Sequence, residues 1–269
     1  MMDILSEDAT QPAISRDGKR VMYVTLSAPQ INELWLSDVD GRNKVRIATG
    51  HELSTGSWAP DGFHLSFFES GVSGADKAYS VGADGRGLRQ IPSIGAMPIA
   101  AIVWSQDQKS IYVSMPMGSE STSEIWKWNV DGSNPERLVD KCGLVTDADP
   151  DGRYLLGAQL FGERTGIYEV SLDDRKCVPL LPGVSTFTVT FARDGKSFLY
   201  AVASSGDVTI YRQPWKDGKL IGAPQVALKV PFAFPLEYHG NAYDVSRDLS
   251  TIVYASPAGH ADLNLLSQK

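Results

Sequence analysis

Hydrophobic and polar residues alternate in short runs along most of the chain, and clusters of turn-forming residues separate the runs. Arg20-Val21-Met22-Tyr23-Val24 and Ser110-Ile111-Tyr112-Val113 each place apolar side chains on one face of an extended segment, the period-two pattern of a half-buried strand. A second kind of run follows at a short distance: Glu33-Leu34-Trp35-Leu36, Ser123-Glu124-Ile125-Trp126-Lys127-Trp128 or Gly166-Ile167-Tyr168-Glu169-Val170. Shorter runs come after these, such as Val45-Arg46-Ile47, Arg89-Gln90-Ile91 and Glu136-Arg137-Leu138-Val139. Asp40-Gly41, Asp84-Gly85 and Asp131-Gly132 close three runs of the second kind, and Asp-Gly is hairpin chemistry. Nothing reads as a long helix or a linker, so the pattern predicts an all-β chain.

The runs belong to a repeat. One phrase recurs: a hydrophobic residue, a small or polar one, any residue, Asp, usually Gly, then a β-rich run. Its six copies are Ile14-Ser15-Arg16-Asp17-Gly18, Trp58-Ala59-Pro60-Asp61-Gly62, Trp104-Ser105-Gln106-Asp107-Gln108, Ala148-Asp149-Pro150-Asp151-Gly152, Phe191-Ala192-Arg193-Asp194-Gly195 and Val245-Ser246-Arg247-Asp248-Leu249. The steps from Asp to Asp are 44, 46, 44, 43 and 54 residues. A period of ~40–45 residues with four strands per unit signals a β-propeller. The expectation is therefore a single domain over residues 1–269, a six-bladed β-propeller of four-stranded blades. The last repeat stops at its third strand, Leu263-Asn264-Leu265-Leu266, so residues Asp3 to Ser6 are expected to close the last blade, which removes a free edge.

Composition narrows the role. Hydrophobic residues at 42% suffice for a core, and charged residues at 21% are too few for a disordered chain. The formal charge of −7 repels phosphate backbones, which disfavours nucleic acid as a partner. The start, Met1-Met2-Asp3-Ile4-Leu5, lacks the basic and apolar regions of a signal peptide, and no run approaches the ~18 apolar residues of a membrane span. The chain as written is expected in the cytoplasm as a monomer without membrane insertion, or in the periplasm if it is part of a membrane-anchored parent. Cys142 and Cys177 occupy comparable outer-strand positions of consecutive repeats; two separate thiols are the simpler reading, and a disulfide would need close Cβ geometry that spacing does not show.

Candidate chemistry is sparse. Asp147-Ala148-Asp149-Pro150-Asp151-Gly152 matches the first half of a calcium loop, but the twelfth position, where a bidentate Glu is needed, holds Ala158. The stretch is also a copy of the turn phrase, so the turn reading is preferred and no cofactor is expected. His51, His64, His239 and His260 have no metal-ligand spacing, and no Gly-x-Ser-x-Gly elbow is present. The six tryptophans fall mostly on strand positions and are read as packing between blades. The long fifth step places its excess in 231–241, whose Phe232, Phe234, Tyr238, His239 and Asn241 suit a ligand or peptide; the alternative is an aromatic plug that caps the channel or packs on blade five.

The phrases resemble the TolB-like propeller repeat, whose usual form is Trp-Ser-Pro-Asp-Gly-Lys followed by a strand; Trp58-Ala59-Pro60-Asp61-Gly62 is the nearest copy. Toward the end, Ile210-Tyr211-Arg212-Gln213-Pro214-Trp215-Lys216-Asp217-Gly218-Lys219, Gly240-Asn241-Ala242-Tyr243-Asp244-Val245 and Ala261-Asp262-Leu263-Asn264-Leu265-Leu266 look like the C-terminal propeller of bacterial receptor-like serine/threonine kinases. That resemblance implies a sensing or binding part; the kinase motifs themselves are missing, so kinase chemistry does not carry over. The expected function is a non-catalytic sensor or scaffold for a protein, peptide or cell-envelope ligand. The opposing expectation is a propeller hydrolase or lyase using channel carboxylates, with Asp147 and Asp244 as candidates.

Overall fold

The computed structural model describes residues 2–6, 9–29, 31–71, 76–92, 98–117, 122–186, 188–204, 207–230, 243–256 and 262–267, with side chains between 9 and 254. The described residues form strands and turns and no helix. Contacts divide the chain into two compact units, Met1–Pro98 with Pro235–Lys269, and Ile99–Phe234.

The first unit begins with β1 (Met2–Ser6) and continues with an antiparallel sheet of β2 (Ala9–Ile14), β3 (Arg20–Ala28), β4 (Ile31–Asp38) and β5 (Val45–His51). The next sheet holds β6 (Leu53–Trp58), β7 (His64–Glu69), β8 (Lys77–Gly82) and β9 (Arg89–Ile91). In the second unit β10 (Ala101–Trp104), β11 (Ser110–Met117), β12 (Thr122–Asn129) and β13 (Glu136–Cys142) form one sheet. Another is built of β14 (Leu144–Ala148), β15 (Tyr154–Gln159), β16 (Gly166–Ser171) and β17 (Lys176–Pro182). The third comprises β18 (Val189–Phe191), β19 (Ser197–Ala203), β20 (Val208–Lys216), β21 (Lys219–Leu220) and β22 (Gln225–Val230). Back in the first unit, β23 (Tyr243–Val245), β24 (Thr251–Ser256) and β25 (Asp262–Ser267) form a sheet whose outer strand is β1, antiparallel to β25.

The architecture is an all-β propeller, but the expected count of six four-stranded blades is corrected: five sheets are four-stranded, and the β18–β22 sheet has five strands. The reason lies in β20. Asp217 and Gly218 both take positive φ, 45° and 78°, and turn the chain straight back after Lys216 as a tight hairpin. The returning β21 pairs only Trp215 and Lys216, through Leu220 and Lys219. Gly222, with φ 78°, and Pro224, with no N–H to donate, then interrupt the edge. The strand re-forms as β22, which pairs the other end of β20 from Arg212↔Gln225 to Val208↔Val230.

Each copy of the repeat phrase ends the first strand of a sheet, and side-chain capping explains its residues. Asp17 Oδ1 accepts from Ser15 Oγ at 2.7 Å and Lys19 N at 3.1 Å, while Ser15 Oγ accepts from Arg20 N at 3.0 Å. Ser105 with Asp107, and Ser246 with Asp248, repeat the arrangement. Where the usual glycine is missing, Gln108 and Leu249 still adopt φ of 60° and 62°. Apolar faces of adjacent sheets make the cores. Met22, Leu34, Trp58, Leu65 and Phe67 belong to one cluster in the first unit; Leu156, Ile167, Phe191, Phe198 and Trp215 belong to one in the second. At about 25 cal/mol per Å2 of apolar surface, these clusters supply the main driving force for each unit.

Cys142 and Cys177 are joined, which corrects the reading of two separate thiols. Their Cα atoms are 5.9 Å apart, and the disulfide links β13 to β17. The end of one outer strand and the start of the next come within bonding distance, a lateral relation that the linear repeat does not express.

Candidate functional site

The two inner-strand aspartates have the same job in different sheets. Asp147 on β14 is buried, and its Oδ2 accepts from Thr190 Oγ1 at 2.8 Å and Phe191 N at 2.9 Å, both on β18 of the next sheet. Its Oδ1 accepts from Ala148 N at 2.9 Å. Asp244 on β23 likewise accepts from Ile14 N on β2 at 2.8 Å and from Val245 N at 2.8 Å. Each carboxylate therefore straps a first strand to the first strand of a neighbouring sheet, answering a backbone N–H that its own sheet leaves unpaired. Phe232, Phe234, Tyr238, His239 and Asn241 lie outside the described residues.

The calcium-like stretch is a turn. Asp149 occupies the position of Ser15 and Ser105 in the phrase, and its Oδ1 accepts from Arg153 N at 2.6 Å and Tyr154 N at 2.8 Å. Burial holds its carboxyl above the usual range, although both N–H donors pull the other way. Asp147 serves β18, Asp149 caps backbone N–H groups of the turn, and Asp151 stands 3.8 Å from the Arg153 guanidinium, so each carboxylate has its own structural role. Among the described residues, no cluster of His, Cys, Asp and Glu is arranged to hold a metal ion. His64 pairs with Asp61 at 2.6 Å, and His51 Nδ1 lies 3.3 Å from the Ser70 carbonyl oxygen. His239 and His260 lie outside the described residues. Trp58 and Trp215 do bridge sheets: Trp58 Nε1 donates to the Ala13 carbonyl oxygen at 2.9 Å, and Trp215 Nε1 to Glu169 Oε2 at 2.8 Å.

The structure brings together a group that the sequence reading missed. A cleft of about 590 Å3 opens where the β14–β15, β18–β19 and β20–β21 turns meet. Trp215 forms its base, only 4% exposed, with Tyr154 and Phe191 in edge-on contact at 5.3 and 5.2 Å between ring centroids. The Asp217-Gly218 turn reaches over β16: positive φ favours glycine at 218, and a Cβ there would stand 2.9 Å from Glu169 Oε1 and displace that carboxyl. Burial raises the Glu169 carboxyl, against the opposing effect of the Trp215 N–H.

Charge surrounds this base. Arg153, Arg193, Lys196 and Lys216 line the cleft together with Asp151, Asp194 and Asp217. Arg153 Nη2 donates to Asp217 Oδ1 at 2.6 Å and holds that carboxyl below its usual range. Arg212 pairs with Asp194 at 2.5 Å. Partial burial would raise Asp194, but the Lys196 N–H, the Arg212 charge and the Ser197 hydroxyl outweigh it, and the carboxyl lies low. Pro150, Pro214 and Ile221 add apolar surface. The sequence signal was Pro214-Trp215-Lys216-Asp217-Gly218-Lys219, an apolar anchor followed directly by a basic hairpin.

Comparison with solved structures gives the fold a precedent. TolB from Acinetobacter baumannii superposes with a TM-score of 0.70 at 17% identity, covering 94% of this chain and 65% of that one. The chain has the fold of TolB-like β-propellers. It thus spans 65% of the length of that TolB structure. An oligogalacturonate lyase in complex with manganese matches with a TM-score of 0.66 at 11% identity, over 100% of this chain and 93% of that one. A nidogen/laminin complex structure matches with a TM-score of 0.59 at 15% identity, over 80% of this chain and 78% of that one. No family model and no curated protein matches the chain. No helix among the described residues is long and apolar enough to cross a membrane.

Proposed function

We propose that this TolB-like propeller is a non-catalytic binding module, a sensor or scaffold that recognises a protein, peptide or cell-envelope ligand. The observation that carries the reading is the cleft over Trp215. Its volume of about 590 Å3 falls within the range of ligand sites, roughly 300–1,000 Å3, and charged side chains rim an apolar base. Its described lining holds no Ser, Cys or His, and the low-lying carboxyls of Asp194 and Asp217 are poor general acids near neutral pH. Asp147 and Asp244, the carboxylates an acid/base mechanism would use, accept strand N–H groups.

The Cys142–Cys177 bond supports an oxidising compartment such as the periplasm, where such bonds form and persist. That setting is in keeping with the separated sensor part of a receptor-like kinase, the parent to which the C-terminal residues have a likeness.

The immobilised chain should capture a partner from envelope or soluble fractions of its source cells. Two folded variants locate the contact: Phe232→Ala/Phe234→Ala/Tyr238→Ala for the long connection, and Lys196→Glu/Lys216→Glu for the cleft. Capture lost in either variant supports a binding module; capture of nothing above both controls sinks it. Turnover of a peptide or oligogalacturonate that disappears in Asp147→Asn/Asp244→Asn would replace it with the enzyme reading.

A further inference from the structure

We propose that the cleft over Trp215 is a docking site for an acidic polypeptide segment with an apolar anchor residue, an inference that rests on the binding-module reading. The first ground is charge. The lining holds four cations against three carboxylates on a chain of formal charge −7, so the cleft is locally positive on an acidic molecule. Two of those carboxylates are already matched, Asp217 by Arg153 and Asp194 by Arg212, whereas the Lys196 and Lys216 side chains stand exposed at the rim. An arriving carboxylate meets two ammonium groups on the lining of one cleft, which raises its local concentration there.

The second ground separates a polypeptide from other polyanions. Nucleobases, and many sugars, bind by laying a ring on an exposed aromatic face. Trp215 offers none: it is 4% exposed and walled in by Tyr154 and Phe191. What the cleft does present is aliphatic, Pro150 and Pro214 with Ile221, the last 53% exposed. That surface suits a Leu, Ile or Val side chain flanked by Asp or Glu. The overall charge of −7 meanwhile repels nucleic acid from the rest of the molecule.

The test is selection of a phage-displayed random 12-mer peptide library on the full chain, followed by measurement of synthetic winners by fluorescence anisotropy. The expected winners carry more Asp and Glu than Lys and Arg and include an aliphatic residue. Their affinity should fall at least tenfold in Lys196→Glu/Lys216→Glu, fall less in Lys196→Gln/Lys216→Gln, and weaken as salt is raised from 50 to 500 mM. Both lysines are exposed, so unchanged melting curves are expected and separate lost binding from lost folding. Winners that are neutral or basic, or acidic winners indifferent to the lysines, overturn the proposal and leave the binding module standing. Displacement of the peptides by oligogalacturonate, with direct saccharide binding lost in the same variants, hands the cleft to an acidic saccharide. Absence of any winner overturns this proposal alone if the pull-down captures a partner, and both readings if it does not.

Discussion

The second unit contains two junctions between neighbouring sheets, and they are finished differently. Between the β10–β13 and β14–β17 sheets, Val145 N donates to Ser114 Oγ at 2.8 Å, Gln106 Nε2 donates to the Ala148 carbonyl oxygen at 3.0 Å, and the outer strands are clipped by the Cys142–Cys177 bond. An Arg175–Glu136 pair at 2.5 Å adds to that outer contact. Between the β14–β17 and β18–β22 sheets, Asp147 ties the first strands and Glu169 takes the Trp215 N–H, but the turns diverge into the cleft. The same repeat phrase ends the first strand of every sheet, so the phrase does not decide which junction closes. The outer strands do: a four-stranded sheet presents a continuous edge to its neighbour, whereas the divided edge of β21 and β22 leaves a basic hairpin and a recess.

Breaking the covalent clip should have the largest effect. The bond spans a sequence separation of 35 residues, and in the chain-entropy account a loop of that length stabilises the folded state by about 3–4 kcal/mol. Cys142→Ser/Cys177→Ser, or reduction of the native protein, should lower Tm by roughly 10 °C in a calorimetric scan. Peptide binding at the cleft should survive in the folded fraction, since the clip belongs to the other junction. An unchanged Tm would mean that the closed junction owes nothing to its cystine.

Removing the aspartate straps comes next. Asp147→Ala leaves the Phe191 N–H and the Thr190 hydroxyl without their acceptor in a buried place, a loss of about 2–3 kcal/mol. Asp244→Ala, which takes the acceptor from Ile14 N at a half-buried carboxylate, should cost less, and Asn at either site less again because one acceptor oxygen remains. Chemical denaturation of the four variants checks this. A large loss at one site and none at the other would show that the straps are not equivalent.

These two features mark what the sequence made legible. Asp17, Asp61, Asp107, Asp151, Asp194 and Asp248 could be read as turns because the capping they perform, or sit beside, is local: donors and acceptors lie within about five residues. Asp149 could be mistaken for part of a calcium loop because spacing displays carboxylates but not the N–H groups they face. The cystine, the straps and the cleft are lateral relations between sheets, separated by 35 residues or more along the chain, and no periodicity reports them. The divided edge of β20 was foreshadowed by Asp217-Gly218, which the family likeness absorbed instead, and by Pro224. The long connection was recognisable as a departure from the repeat, and its five named residues keep the standing of a candidate.

A smaller effect distinguishes the open junction by its pH dependence. Burial raises the folded-state pKa of Glu169 above its ordinary value of 4.5, so the folded chain keeps a proton that the unfolded chain has lost. The contribution of this group to stability therefore falls as pH rises from 4.5 through the raised value. Asp149, raised by burial as well, has the same sign. Asp61, Asp107, Asp194 and Asp248, whose carboxyls are lowered, act in a separate window: their contribution is lost as pH falls below 3.8. Glu169→Gln keeps an acceptor for the Trp215 N–H and removes the buried charge. It should raise stability near pH 7 and flatten the decline above pH 4.5. Tm measured across pH 4 to 8 decides it, and a variant less stable than the wild type at pH 7 would show that the Trp215 bond needs a charged partner.

The smallest expected change in stability belongs to Asp217, and there the open junction should respond in binding instead. Its pair with Arg153 is exposed on both sides, at 45% and 53%, so Asp217→Asn should leave Tm where it is. The substitution removes one negative charge from the cleft and releases the Arg153 guanidinium to an incoming carboxylate. Acidic peptides should then bind a few-fold more tightly at low ionic strength, and the gain should fade as salt shortens the Debye length from about 30 Å at 0.01 M to about 3 Å at 1 M. Arg153→Gln should weaken them under the same conditions. If Asp217→Asn weakened acidic peptides at low salt, the Arg153–Asp217 pair would be acting as part of the cleft wall, its charge would be secondary, and the open junction would be held in shape by the pair that lines it.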